Sequence, residues 1–108
     1  QFQYRKYGWW SSQEFMPGMY VRELYGDKVE FAGLVANGRV FRGDKGRYVT
    51  FLTLGVGNGQ YVDVTIKKPF SYSDHDVVWG QGTIRHSNNS DYVECQDVEL
   101  HSFQEWLS

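Results

Sequence analysis

The chain has few prolines, a single cysteine and no long apolar run, and each of these scarcities excludes a class of protein. The one cysteine, Cys95, excludes an internal disulfide framework and a cysteine-built zinc cage. No apolar run approaches the roughly 20 residues that a membrane helix needs, and no signal-peptide pattern is visible. With 2 prolines but 12 glycines, and aromatic residues at 18%, the composition favours twisted strands and tight turns over helices.

The length of 108 residues is that of a single domain. Hydrophobic residues make up 41% of the chain and charged residues 22%, which is ordinary for a globular protein and argues against disorder. The first 26 residues are aromatic-rich and are interrupted by glycines and a proline. We therefore divide the chain into an N-terminal extension, residues 1–26, and a folded domain, residues 27–108.

The net charge of −2 disfavours a nucleic-acid partner at first sight, but the charges are unevenly spread. Residues 1–38 are neutral overall, residues 39–68 carry a net charge of +4, and residues 69–108 carry −6. The basic block coincides with the strongest strand signals of the chain. Its charged residues are Arg39, Arg42, Lys45, Arg47, Lys67 and Lys68, against Asp44 and Asp63.

Runs of β-branched and aromatic residues bounded by turn formers predict the strands. A short strand is expected over 19–25, and a long one over 29–35 continues through 39–42 with a bend at Gly33. A hairpin is expected from 47–56 and 60–67, followed by strands over 77–85 and 92–100 and a helical turn over 103–107. Because closure removes exposed edge strands, five such strands of the folded domain favour a small antiparallel barrel.

Period-2 alternation assigns faces to the hairpin strands. Every second residue of 60–67 is aliphatic, so this set is predicted to fill the core: Val62, Val64 and Ile66. If the leucines of 47–56 also point inward, the alternate residues share the outer wall. That wall is then predicted to present Arg47, Phe51, Tyr61 and Lys67.

Five stretches of the chain, taken in order, resemble the strands of bacterial and phage single-stranded DNA-binding proteins of the OB-fold. They read VEFAG (29–33), GRYVTFLTL (46–54), QYVDV (60–64), VVWGQGTI (77–84) and YVEC with VEL (92–95 and 98–100). The resemblance implies an all-β fold, a five-stranded Greek-key OB barrel, preceded here by the extension over 1–26. The family's helix between its third and fourth strands has no counterpart in KPFSYSDHD, residues 68–76.

Binding single-stranded DNA with little sequence preference requires aromatic platforms beside a basic groove. Tyr61 matches an aromatic stacking position of the family, Phe51 shares its face by alternation, and Trp79 follows the inward-pointing Val78. Each has a structural alternative: a surface strand former for Tyr61, core packing for Phe51, and a barrel end or subunit interface for Trp79. The wider candidate set adds the phosphate contacts Arg39, Arg42, Lys45, Arg47, Lys67 and Lys68, and Tyr72 as a clamp on a base.

The extension offers a further candidate. Trp9 and Trp10 lie beside Arg5 and Lys6, so this segment is either an auxiliary strand-binding arm or a hydrophobic plug or dimer contact.

No catalytic site, cofactor or metal is expected from the remaining residues. His75 between Asp74 and Asp76 is interpreted as part of a solvated acidic loop, and Cys95 as a buried thiol. Neither a Walker loop nor a dinucleotide fingerprint occurs.

The predicted function is therefore non-catalytic binding of single-stranded DNA in replication or recombination. The expected setting is the cytoplasm of a bacterium or phage-infected host, as a homo-oligomer without a membrane partner. Two alternatives remain open. The acidic block favours a protein-interaction OB module, for example a phage or mobile-element assembly component. An RNA-binding OB domain is the other.

Overall fold

A computed structural model describes residues 5–6, 19–57, 59–87 and 91–107, and this part of the chain is mainly β-structure. A 3-10 turn over Asp44–Gly46 joins the third strand to the fourth, and a short helix, α1 (Phe103–Leu107), follows the last strand. The all-β class is confirmed. The described part contains more than the five strands expected, namely β1 (Arg5–Lys6), β2 (Tyr20–Tyr25), β3 (Lys28–Arg42), β4 (Tyr48–Gly57), β5 (Gln60–Ile66), β6 (Val77–His86), β7 (Asp91–Cys95) and β8 (Val98–His101).

Five of these strands pair into a ring in the order β3-β4-β5-β7-β6 and back to β3. Every pair in the ring is antiparallel except β5 with β7, which is parallel. The 15-residue strand β3 serves both halves of the ring: residues 28–34 pair with β6, and residues 34–42 pair with β4. The remaining three strands lie outside the ring: β2 pairs with β3, β1 pairs with β5, and β8 pairs with β6. The result is a barrel-like fold.

Next to the change of partner along β3, which occurs at Leu34, lies Gly33, where the sequence predicts a bend. A Cβ at this position would lie 2.6 Å from the Cβ of Leu54 and 3.2 Å from the carbonyl oxygen of Gly55. Only glycine therefore allows β4 to approach β3 this closely.

The last predicted strand, 92–100, is interrupted and forms β7 and β8. Both lie along the same edge of β6, but the pairing Thr83↔Glu94 continues as Gly80↔Val98, which leaves one extra residue between them. The carboxylate of Asp97 accepts a hydrogen bond of 2.8 Å from the backbone N–H of Val98 at this point. The break thus has the two-against-one count of a β-bulge.

The interior of the ring is filled by aliphatic side chains from every strand. The predicted core residues Val62, Val64 and Ile66 are at most 1% exposed, and Cys95 is likewise 1% exposed. The rest of this cluster consists of Val29, Phe31, Val35, Leu52, Leu54, Val56, Val78, Ile84 and Val93.

The loop 67–76 packs against this core through Phe70 and Tyr72. Tyr72 lies across Gly38, where a Cβ would approach its ring to 2.8 Å. The loop backbone is tied to β3 by hydrogen bonds between Val35 and residues 75 and 76. Two aromatic rings of the loop thus cover this part of the core.

The predicted helical turn over 103–107 is confirmed as α1, and a capping box starts it. The hydroxyl of Ser102 accepts a hydrogen bond from the N–H of Glu105, and the Glu105 carboxylate accepts one from the N–H of Ser102. Trp106 on this helix packs against a second buried cluster formed by Met19, Leu34, Tyr61 and Val77. No helix in the described ranges is long and apolar enough to cross a membrane.

Candidate nucleic-acid interface

The end of the β3–β4 hairpin extends from the barrel as a basic arm, which we define as residues 39–51. Arg39 pairs with Phe51 and Arg42 pairs with Tyr48 across the two strands. Side chains are exposed on both faces of the arm, because Val40 (45%) and Tyr48 (51%) lie on one face and Phe41 (38%) on the other. With extents of 41 × 29 × 27 Å, the molecule is longer in one direction than in the others.

Four of the predicted phosphate contacts lie on this arm: Arg39, Arg42, Lys45 and Arg47. All four are exposed. Among the described residues, no ion pair links any of these four cations to a carboxylate, whereas Arg22, Lys67, Lys68 and Arg85 are each paired with one. The cationic groups of the arm are therefore available to bind an anion from solution.

Aromatic rings accompany these cations. The guanidinium carbon of Arg39 lies 5.4 Å from the ring centroid of Phe41 and 6.0 Å from that of Phe51, which are cation–π distances. Phe51 is half-buried, as a residue on an outer wall should be. A planar guanidinium between two rings offers both a phosphate donor and flat apolar surface within one patch.

Beside the arm, the outer surface of the barrel is formed by β4, β5 and β7. A shallow depression of about 260 Å³ lies there, lined by Val49, Phe51, Thr65, Lys67, Tyr92 and Glu94. Lys67 is placed on this wall as predicted, but its ammonium lies 3.2 Å from the carboxylate of Glu94. Glu94 also accepts long contacts from Arg85, at 3.5 Å. The wall is thus close to neutral, and the unpaired positive charge is concentrated on the arm.

Lys68 does not join the arm. Its ammonium lies 2.9 Å from the carboxylate of Asp97, and this hydrogen bond, with one from the Val98 N–H, lowers the pKa of Asp97. Lys68, predicted from the sequence as a phosphate contact, thus has an acidic partner that the break between β7 and β8 brings to it.

The prediction that Tyr61 stands exposed on the outer wall is wrong. Alternation places its side chain outside the ring, but the residue is only 2% exposed. Its ring packs with Met19, Leu34 and Val77 in the second buried cluster, and the backbone of β1 pairs beside it at Arg5↔Tyr61. A base therefore has no access to this ring, and Tyr61 acts as packing between the barrel and the elements outside it.

Trp79 points outward as predicted, but on another wall. It pairs with Ala32 on one side and with Glu99 on the other. Its indole N–H donates a hydrogen bond of 3.1 Å to the hydroxyl of Tyr20, which itself donates one of 2.7 Å to Glu30. The hydrogen bond from Tyr20 lowers the pKa of Glu30. Trp79 thus stands beside carboxylates, which would repel a phosphate backbone.

Tyr72, the predicted base clamp, is half-buried against Gly38 and the core, so its ring helps to close the barrel. The side chains of Trp9, Trp10, Arg5 and Lys6 lie outside the described residues.

Two residues of the arm were missed from the sequence. Phe41 and Tyr48 are exposed rings beside the unpaired cations, and both flank the turn at 43–46. The signal in the sequence was their position among basic residues in the predicted strands 39–42 and 47–56. Where these strands extend beyond the barrel, alternation no longer implies that a side chain is buried.

No group of three or more histidine, cysteine, aspartate or glutamate residues within the described ranges is arranged to hold a metal ion. His75 is exposed and has a positive φ of 70° in its loop.

The thiol of Cys95 is expected to resist thiol reagents in the folded protein. Burial raises its pKa to about 12, so almost no thiolate forms near neutral pH. In the unfolded chain a thiol has a pKa near 8.5. The stability that comes from burying the neutral Cys95 thiol is therefore fully present below about pH 8.5 and is lost as the pH rises towards 12. Ellman's reagent at about pH 8 should label the protein only after denaturant is added. Rapid labelling of the native protein would contradict the burial of Cys95.

Comparison with known proteins adds no relative to this picture. No family model matches the chain, and searches of curated proteins and of solved structures found no match.

Proposed function

We propose that the ring of five strands is an OB barrel and that the protein binds single-stranded DNA without catalysing a reaction. The ring order, the long strand β3 shared between both halves, and the sequence resemblance of five stretches support the fold. In such barrels, oligonucleotides bind to the face of the second and third strands and to the loop before the second. Here those elements are β4, β5 and the basic arm.

The observation that carries the proposal is the set of four cations on the arm, which lie around exposed rings and have no carboxylate partner among the described residues. Nucleic acid is the polymer that satisfies both features, because it combines regularly spaced phosphates with flat apolar bases. Phe41, Tyr48 and Phe51 supply the rings, and stacking contributes roughly 1–3 kcal/mol per base. The phosphate contacts add affinity that falls with salt through counterion release.

A single strand fits better than a duplex. Only an unpaired strand offers base faces to the rings of the arm, whereas a duplex offers mainly phosphates. Since stacking on aromatic rings is sequence-tolerant, we infer little base preference. A role in protecting or organising single strands during replication or recombination follows from this chemistry.

Titration of a fluorescently labelled dT oligomer tests the proposal. With about four phosphates contacted, the slope of log affinity against log salt should be about −3. A duplex of equal length should bind more weakly at every salt concentration, and competition with an RNA oligomer decides between DNA and RNA. Absence of binding to all three at low salt would refute the proposal and leave the protein-interaction module.

A further inference from the structure

A second surface of the barrel is acidic, whereas the arm is basic, and the proposed function does not use it. Two adjoining grooves of about 380 and 270 Å³ lie over β6, β8 and α1 and share Trp79 and Glu99. Together we call these two grooves the acidic groove, which is defined by Trp79, Asp97, Glu99, His101 and Trp106. Both tryptophans are half-buried, and the side chains of Asp97 and Glu99 are each 64% exposed.

The segment of the chain that carries Asp97 and Glu99 is acidic. From residue 91 to residue 107 the chain carries five carboxylates and neither lysine nor arginine. Asp97 has Lys68 as its partner. Within the described residues, the carboxylate of Glu99 has one polar contact, with the ring of His101 at 3.3 Å, and no lysine or arginine pairs with it. A carboxylate beside indole rings is the combination that binds a guanidinium, by a charge-assisted hydrogen bond and by cation–π contact.

The basic arm carries the matching groups, but it cannot reach the acidic groove of its own copy. Trp79 is paired with Ala32, in the first half of β3, while Arg39 lies seven residues further along the same strand. At about 3.3 Å per residue, this is roughly 23 Å of strand, and the intervening backbone is fixed by its ladders to β4 and β6. Each copy thus presents two complementary surfaces that it cannot join.

We propose that the acidic groove binds the basic arm of a second copy of this chain. The interface is heterologous, since each copy contributes its arm on one side and its groove on the other, and repetition gives head-to-tail chains or rings. One consequence rests on the proposed function: single-stranded DNA and the acidic groove compete for the same arm, so a short oligomer should disperse the assemblies.

Sedimentation velocity at about 20 mM and about 500 mM salt tests this interface. The wild-type protein should associate more strongly as its concentration rises at low salt, and salt should reverse this. Glu99→Lys should lower the association constant at least about tenfold, because it places a like charge opposite the arm. Asp27→Lys is the matched control. It makes the same charge change at an exposed turn, five positions before Ala32, the β3 partner of Trp79, and should associate like the wild type.

A mixing experiment separates this interface from any other. The arm variant Arg42→Glu/Arg47→Glu and the groove variant Glu99→Lys should each associate weakly alone. Mixed in equal amounts they should associate again, since wild-type arms meet wild-type grooves and reversed arms meet reversed grooves. Equal association of Glu99→Lys and Asp27→Lys, or a mixture that stays as dispersed as its components, would overturn the proposal.

Oligonucleotide binding keeps this proposal distinct from the proposed function. At protein concentrations too low for self-association, Glu99→Lys should bind a short dT oligomer as the wild type does, since the acidic groove lies outside the basic arm. If no oligonucleotide binds the wild type, the proposed function fails while the sedimentation results still decide the self-association.

Discussion

Replacing three cations of the basic arm, as Arg42→Gln, Lys45→Asn and Arg47→Gln together, is expected to weaken binding to a dT oligomer about 100-fold at 0.1 M salt. Each phosphate contact to a single strand contributes about 0.7 to the salt slope, so three contacts contribute about 2, and this electrostatic part vanishes near 1 M salt. Asparagine is chosen at position 45 because Lys45 has a positive φ of 61°, which asparagine tolerates. Fluorescence anisotropy over a salt series measures both the affinity and the slope.

The control for this variant is Arg22→Gln. The guanidinium of Arg22 lies on β2, 2.8 Å from the carboxylate of Glu30, and away from the arm. Its replacement should leave the affinity within about twofold and the salt slope unchanged. An unchanged slope in the triple variant, or an equal loss in Arg22→Gln, would show that the arm is not the contact surface. Thermal melting of both variants verifies that each remains folded.

The strands and the core faces could be predicted from sequence because both follow from local patterns. Alternation places Val62, Val64 and Ile66 inside the ring, and runs of β-branched and aromatic residues mark the strands that form it. These features depend on residues close together in the chain. They therefore do not depend on how distant elements of the chain pack.

The site was predicted less well because exposure depends on what packs over a wall. Alternation gives the correct side for Tyr61, but it carries no information about Met19 or about the pairing of β1 beside it. The free charge of a lysine likewise depends on distant residues. Lys68 is paired with Asp97, 29 positions away, because of a bulge that a one-residue register change creates. Among the described side chains, Arg42 and Arg47 have no carboxylate partner, since β5 and β6 pair with β4 and β3 only outside the end of this hairpin.

We expect the largest loss of stability from Gly82→Ala, which adds a single methyl group. Gly82 lies on β6 opposite β7, where a Cβ would approach the carbonyl oxygen of Glu94 to 2.5 Å, Val93 Cγ1 to 2.6 Å and Cys95 Sγ to 2.7 Å. The oxygen belongs to the backbone, so β7 itself must move, and with it the parallel pairing of β5 and β7 that closes the ring. We expect a loss of about 3 kcal/mol in the free energy of unfolding, measured by urea denaturation.

The matched control is Gly43→Ala, since it adds the same methyl group where there is room. A Cβ there would meet Val49 Cγ2 at 3.4 Å and the carbonyl oxygen of Arg47 at 3.5 Å, which are ordinary contacts, and Gly43 has no positive φ. Its effect should stay within about 0.5 kcal/mol. The difference between the two variants therefore measures how tightly β6 and β7 are packed. Equal stability of Gly82→Ala and Gly43→Ala would mean that the ring is not closed at this point, and that the barrel on which the basic arm is mounted is open.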